Sequence, residues 1–245
     1  PASGCRTTAR LRRCSPRFAL LCRLSVLFFL RKMTKALYLK NPESSLLGRH
    51  ILQESLELIN QIGFEAFTFK KLALQCKTTE ATVYRYFKNK HYLLLYMVNQ
   101  YWTQLYTLAF YICQTEQNPK KQILHILNVL LNHSAAPQKS NPALELNALY
   151  QLVLWEGSKT YLTRNVDQYN KDYFFKPLKD LSLLLATAIK SHNPKTRFPK
   201  SLASTVLEMV HLQRFYSDHL PSLTDVQKNN PKTIKNYLMH ILQVL

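Results

Sequence analysis

Glycine is scarce in this chain of 245 residues: there are four, Gly4, Gly48, Gly63 and Gly157. No two stand close enough to write a Gly-x-Gly turn, so dinucleotide and phosphate-cradling loops are excluded. Glycine-punctuated β architectures are disfavoured for the same reason. Acidic residues are the second scarcity, 14 Asp+Glu against 33 Lys+Arg, for a net charge of +19. That excess points to nucleic acid or an anionic membrane as partner and says nothing about fold. Cysteines number five. Cys5, Cys14 and Cys22 match no zinc spacing, and Cys76 and Cys113 are too few for a disulfide framework, which makes a reducing cytoplasm the expected compartment. Long apolar runs are missing as well. The longest, residues 18–30, is interrupted by Arg23 and falls short of the roughly 20 residues that a membrane-spanning helix needs.

What remains is ample for a core: hydrophobic residues make up 47% and charged residues 19%, a balance that folds. Residues 1–32 read unlike the rest, with seven Arg, one Lys and no acid. A basic stretch before an apolar one has the order of a targeting segment, but no small-x-small cleavage pattern follows it. The expectation is a start at Met33, with residues 1–42 a basic extension outside the fold. From there the pattern is helical throughout. Ser44 or Ser45 caps a helix to about Ile62, with Leu47, Ile51, Leu52, Leu56, Ile59 and Ile62 at spacings of three and four. Gly63 supplies a left-handed stop. Thr68 and Thr79 cap two short helices with a four-residue turn between them, the plan of a helix-turn-helix.

The next helix, about Lys90 to Cys113, is apolar nearly all round and should be buried among others. Further helices are expected at 119–133, 142–155, 163–191 with a kink at Pro177, 199–219 and 231–245. Pro119, Pro142, Pro199 and Pro231 fall at helix starts, where proline costs least. The expected organisation is all-α, with a small three-helix unit at 43–92 and a larger helical body at 93–245. Charge is concentrated where the helix-turn-helix lies: Lys70, Lys71, Lys77, Arg85, Lys88 and Lys90 face Glu80 alone between residues 66 and 94.

The string Thr79-Glu80-Ala81-Thr82-Val83-Tyr84-Arg85-Tyr86-Phe87-Lys88-Asn89-Lys90, with Gly63-Phe64, Thr68 and Leu72-Ala73 before it, resembles the DNA-binding domain of the tetracycline-repressor (TetR) family. The runs Glu156–Leu162 and Ser222–Asp225 look like a subgroup found in Bacteroidetes-type bacteria. The family usually places a small residue and then Gly in the turn, where Cys76 and Lys77 stand here. Lys77 must therefore accept a positive φ, at about 1 kcal/mol or more, or the turn must change. Thr78 replaces the usual Val.

The resemblance implies that Thr79, Glu80, Ala81, Thr82 and Tyr84 occupy recognition-helix positions, whose N-terminal end meets base edges in the major groove. It implies that Tyr84, Tyr86 and Lys90 hold phosphates, and that Lys70 reaches DNA from the preceding helix. Lys71 and Lys88 read instead as a solvated face. Trp102, Tyr106, Phe110, Tyr150 and Trp155 are candidates to line an apolar effector pocket, or ordinary core. Helices 199–219 and 231–245 would pair with their copies in a homodimer, through Leu202, Val206, Met209 and Val210 and the stripe from Ile234, although both stripes suit the monomer's own core equally. No metal set, catalytic motif or cofactor site is legible. The expected partners are a double-stranded DNA operator, a second copy and a small-molecule effector, with no membrane. A tether through residues 18–30 and a helical enzyme without a readable site are the alternatives.

Overall fold

A computed structural model describes residues 37–132 and 144–244, with side chains to Leu242. Eleven α-helices form it, and no strand occurs among the described residues. The head begins with a 3-10 turn, Pro42–Ser44, and α1, Leu46–Ala66, whose first turn is capped by Ser45 accepting from the Gly48 amide at 3.1 Å. Ile51, Leu52, Leu56 and Ile59 are buried as their spacing requires, while Leu47 and Ile62 at the ends of the stripe are exposed. Gly63 has φ 76 and ψ 159. It breaks the helix as expected, yet one further turn follows before the chain leaves at Phe67.

Helix α2, Phe69–Gln75, is capped by Thr68 accepting from Lys71 N at 3.2 Å. Its end answers the question posed by Lys77. Thr78 N donates to Ala73 O at 2.9 Å, Lys77 N donates to Leu74 O at 3.2 Å, and Lys77 sits at φ 50. This is the Schellman closure that glycine usually completes, carried out by lysine. Cys76 beside it is buried, and burial followed by the nearby Glu54 charge pushes its thiol up to about 11. Helix α3, Glu80–Tyr84, starts from Thr79, whose hydroxyl accepts from Thr82 N at 3.3 Å.

Helix α4, Lys90–Thr115, leaves the head and runs through the body, capped by Asn89 accepting from Tyr92 N at 3.0 Å. Its residues Leu93 to Asn99 are all buried, followed by Tyr101, Trp102, Gln104, Leu105 and Ala109. Around it pack α5, Pro119–Leu131, α6, Leu146–Glu156, and α9, Lys176–His192. Two buried polar groups of α4 are spent on backbone carbonyls, Asn99 on Phe174 O at 2.6 Å and Gln104 on Leu144 O at 3.2 Å. Left unmade, each would cost about 1–3 kcal/mol. Between α6 and α9 lie the short α7, Ser158–Tyr161, and α8, Val166–Lys171. Helix α10, Pro199–His219, packs on α9, and α11, Pro231–Val244, packs on α10 and α5.

Three expectations change. Residues 37–42, expected to lie outside the fold, belong to it: Leu37 is buried in the core and Leu39 N donates to Tyr86 O at 2.7 Å. The span 163–191 is two helices, because Tyr173 at φ 62 ends α8 and Pro177 lies in the first turn of α9. Proline there has no amide to lose, so it marks a start and not a kink. The helix expected from 142 begins at Leu146, Pro142 itself lying outside the described residues.

Lys77→Gly should raise stability by about 1 kcal/mol, since glycine adopts positive φ without the Cβ penalty. The midpoint of urea unfolding, at unchanged m-value, measures it.

Candidate nucleic-acid interface

The outward face of the head is built by the two short helices. Lys70 on α2 and Thr79, Glu80 and Ala81 at the start of α3 are exposed, and Thr82 is half-buried. The Thr79 and Thr82 hydroxyls lie 2.9 Å apart. Tyr84 is 47% exposed and braced edge-on by Phe69, with ring centroids 4.9 Å apart. Val83 and Phe87, on the other side of the same turn, are fully buried. The interface is thus a thin polar layer over a well-packed base. Arg85, Lys77 and Lys88 are exposed beside it; sequence reasoning counted their charge without assigning them contacts.

Two of the expected phosphate contacts are turned inward. Tyr86 is 3% exposed, and its hydroxyl shares a hydrogen bond with Ser45 Oγ at 2.9 Å. Its backbone carbonyl accepts from Leu39 N at 2.7 Å, and Lys40 lies over its ring. Tyr86 therefore fastens the N-terminus of α1 and the segment before it to the end of α3. Lys90 donates to the carbonyls of Phe64, Glu65 and Phe67 at 3.0, 3.2 and 3.2 Å. Lys71 is exposed, as expected of a solvated face, and donates to Ala66 O at 2.8 Å at the end of α1. Carbonyls at a helix C-terminus carry the negative end of the dipole, and ammonium groups bind there favourably.

The expected effector residues divide into three places. Trp102 and Tyr150 meet around His211 of α10, with centroid distances of 5.6 and 5.8 Å, and Tyr101 joins them. Tyr106 and Phe110 meet with tilted rings, centroids 5.6 Å apart, further along α4. Trp155 is 54% exposed and packs on Phe215 and His219 of α10, on the outside. His211, which no sequence pattern singled out, is the hub of the first group. Its Nδ1 faces Leu207 O at 3.0 Å, an atom that only accepts, so Nδ1 carries the hydrogen and Nε2 accepts from the Tyr101 hydroxyl at 2.9 Å. Arg214 lies over the Tyr150 ring at 5.2 Å.

The dimer stripes also turn inward: Val206, Val210, Ile234, Leu238 and Leu242 are buried in this chain's own core, with Leu202 and Met209 partly buried against it. The outer face of α10 instead shows Leu212, 45% exposed. No helix among the described residues is long and apolar enough to cross a membrane, and residues 18–30 lie outside the described residues.

Fold and outward face define a helix-turn-helix protein with an all-helical body. Residues 51–97 match the family described as bacterial regulatory proteins, tetR family. The chain is 29% identical over 121 residues to the uncharacterized HTH-type transcriptional regulator YuxN of Bacillus subtilis, covering 49% of this chain and 38% of that one. It is 32% identical over 84 residues to YvkB of the same organism, covering 34% and 43%. The matched stretches thus span about two fifths of the length of these curated relatives. Among solved structures, AibR in complex with isovaleryl coenzyme A and operator DNA superposes with a TM-score of 0.54 at 16% identity, over 80% of this chain and 97% of that one. The ketosteroid transcriptional regulator KstR2 of Mycobacterium tuberculosis gives 0.51 at 11%, over 82% and 94%. At these identities the likeness is one of fold.

Burial pulls His211 down to about 4, partly offset by the Leu207 bond, whereas the unfolded chain titrates it near 6.5. Its contribution to stability is complete above about pH 6.5 and is lost as pH falls toward 4. Thermal melting should therefore drop more steeply across that window in the native chain than in His211→Gln.

Proposed function

We propose that this chain is a DNA-binding transcription regulator, acting as a repressor, that grips a pseudo-palindromic operator as a homodimer and is released by a small-molecule effector. The observation that carries the reading is the outward face of α2 and α3. Lys70, Thr79, Glu80, Ala81, Thr82 and Tyr84 share it above a rigid base, with Glu80 its only acid. Such a helix enters a major groove N-terminus first. Thr79, Glu80, Ala81 and Thr82 read base edges, Glu80 accepting from a cytosine amine and Ala81 meeting a thymine methyl. Lys70 and Tyr84 hold the backbone and set register. Tyr86 and Lys90 serve the same interface by fixing the head's shape.

The head at 43–92 and the body at 93–245 divide the work. In the body, the group around His211 touches α4, α6 and α10 together, and an effector entering between Trp102, Tyr150 and Arg214 would move α4. Two recognition helices about 34 Å apart meet successive major grooves, so a ligand that prefers another spacing lowers operator affinity by linkage. For self-association the outer face of α10 is favoured over the buried stripes, with Leu212, Phe215 and His219 on one side of the helix beside Trp155. The protein acts by binding and not by catalysis, in the cytoplasm.

Anisotropy titrations against the chain's own upstream intergenic DNA test the reading. Tyr84→Ala and Lys70→Ala should each weaken binding about tenfold, on the order of 1.4 kcal/mol. Lys70→Ala should also lower the salt slope by about one if it meets a phosphate. Lys90→Ala should weaken binding and leave the slope unchanged, because its ammonium is spent inside the protein. Binding indifferent to all three substitutions and to DNA sequence would overturn the proposal. Leu212→Asp should convert a dimer to monomer by light scattering after size exclusion, and an unchanged mass would remove α10 from the interface.

A further inference from the structure

The segment Glu156–Tyr161, between α6 and α10, is tied at both ends to other parts of the molecule. At one end it meets the break in α1. Gly63 at φ 76, ψ 159 takes the Phe64 amide out of the helical ladder, and the amide is buried, so it requires an acceptor from elsewhere. Glu156 Oε1 supplies it at 3.0 Å. Glu156 is the last residue of α6 and is 8% exposed. Its other oxygen, Oε2, pairs with Lys159 Nζ at 2.8 Å, and the same ammonium reaches Glu65 at 2.7 Å. Lys159 also lies over the Phe64 ring at 5.7 Å, beside Lys90 at 4.7 Å. A second tie of α1 to α6 is close by, Asn60 Nδ2 donating to Ala148 O at 3.0 Å.

The contacts at this joint differ in weight. The Glu65 carboxylate is largely exposed, and an ion pair in water constrains little. The Phe64–Glu156 bond is buried and charge-assisted, which makes it the stronger constraint. The hydrogen bonds to Glu156 and then to Glu65 hold the Lys159 ammonium above its ordinary range, in keeping with the pairing. At its far end the segment reaches α10: the Tyr161 hydroxyl donates to Glu208 Oε2 at 3.2 Å. One short stretch therefore touches both the break in α1 and the helix that carries His211 and Leu212.

We infer that Glu156 and Lys159 are positioning residues that set the angle of the DNA-binding head on the body, and thereby how strictly the protein discriminates the spacing of operator half-sites. The inference rests on the DNA-binding reading. The mechanism is mechanical. While Phe64 N–H is held by Glu156, the last turn of α1 is fixed between α6 and the Lys90 ammonium of α4, and the head has one orientation. Without that acceptor the last turn of α1 loses its buried tie to α6, and the head loses one of its fixed points on the body. Motion of α10 reaches the same point through Tyr161 and the pair Glu156–Lys159. No residue of this joint lies on the outward face of α2 and α3, so its loss removes no DNA contact.

The test compares Glu156→Ala, Glu156→Gln and Lys159→Met with the native chain in two measurements. The first is the distance distribution between paramagnetic unnatural amino acids placed at the exposed positions Leu74 on the head and Ser191 on the body. The second is the affinity ratio between an operator selected from a random pool and the same operator lengthened by one base pair at its centre. Glu156→Ala should broaden the distance distribution and shrink the affinity ratio about tenfold, with the salt slope unchanged. Glu156→Gln should keep both near native, because the carboxamide oxygen still accepts from Phe64. Lys159→Met should shrink the ratio about threefold, and it keeps the test open if the alanine variant does not fold. An unchanged distribution and ratio in Glu156→Ala, or in Lys159→Met where that variant alone folds, would overturn the inference. Failure of the native chain to bind any selected sequence would sink the regulator reading instead, while the distance distribution alone would still decide whether Glu156 fixes the head.

Discussion

The burial of α4 holds two cores on one rod. Its first turns, from Leu93 to Val98, close the base of the head together with Val83, Phe87 and Leu37, and its later turns carry Tyr101, Trp102, Leu105 and Ala109 into the body. A helix buried all round from Leu93 to Asn99 and along one face beyond cannot rotate or slide without breaking contacts in both places. Its polar side chains are arranged accordingly. Asn99 and Gln104 are anchored to carbonyls of the body, Tyr96 donates to Glu43 in the lead-in to α1 at 2.8 Å, and Lys90 is anchored to the end of α1. Displacement of α4 by anything bound near His211 is therefore felt at the head.

The head's charge follows a division of labour that composition conceals. Lys71 and Lys90 neutralise carbonyls at the end of α1, while Lys70, Lys77, Arg85 and Lys88 remain outward. The basic excess thus serves two purposes, closing a helix that ends early and presenting a positive face. The early end originates at Gly63, which exposes an amide on one side and carbonyls on the other. A carboxylate from α6 takes the amide and an ammonium from α4 takes the carbonyls. Complementary charges from two elements meet at one break in the backbone.

Much of the head was legible because its signals are local. Thr68, Thr79 and Asn89 cap the helices they precede, and the string from Thr79 to Lys90 keeps its hydrophobic positions Val83 and Phe87 in the base. Even the departure at Lys77 was posed correctly as a choice, and the Schellman bonds around it explain why the positive φ is tolerated. The body was legible as helices but not as surfaces. Pro177 read as a kink because a long apolar pattern ran through it, and the left-handed Tyr173 that separates two helices leaves no trace in periodicity. The stripes on α10 and α11 have the spacing of an interface and of a core alike, and burial alone distinguishes them.

The sequence by itself determined the helical class, the caps, the helix-turn-helix and the residues available to its outward face, because each depends on neighbours within about one or two turns. Tertiary structure decided where the long side chains end: Lys70 outward, Lys71 and Lys90 on the carbonyls that close α1, Tyr86 beneath α1, Trp155 on the surface. It also decided that Glu156 meets Phe64, 92 residues away in the chain. A lysine or tyrosine carries its polar group several bonds from the backbone, so its destination is set by whichever unsatisfied group packing brings within reach. That group belongs to another helix, and no local pattern names it.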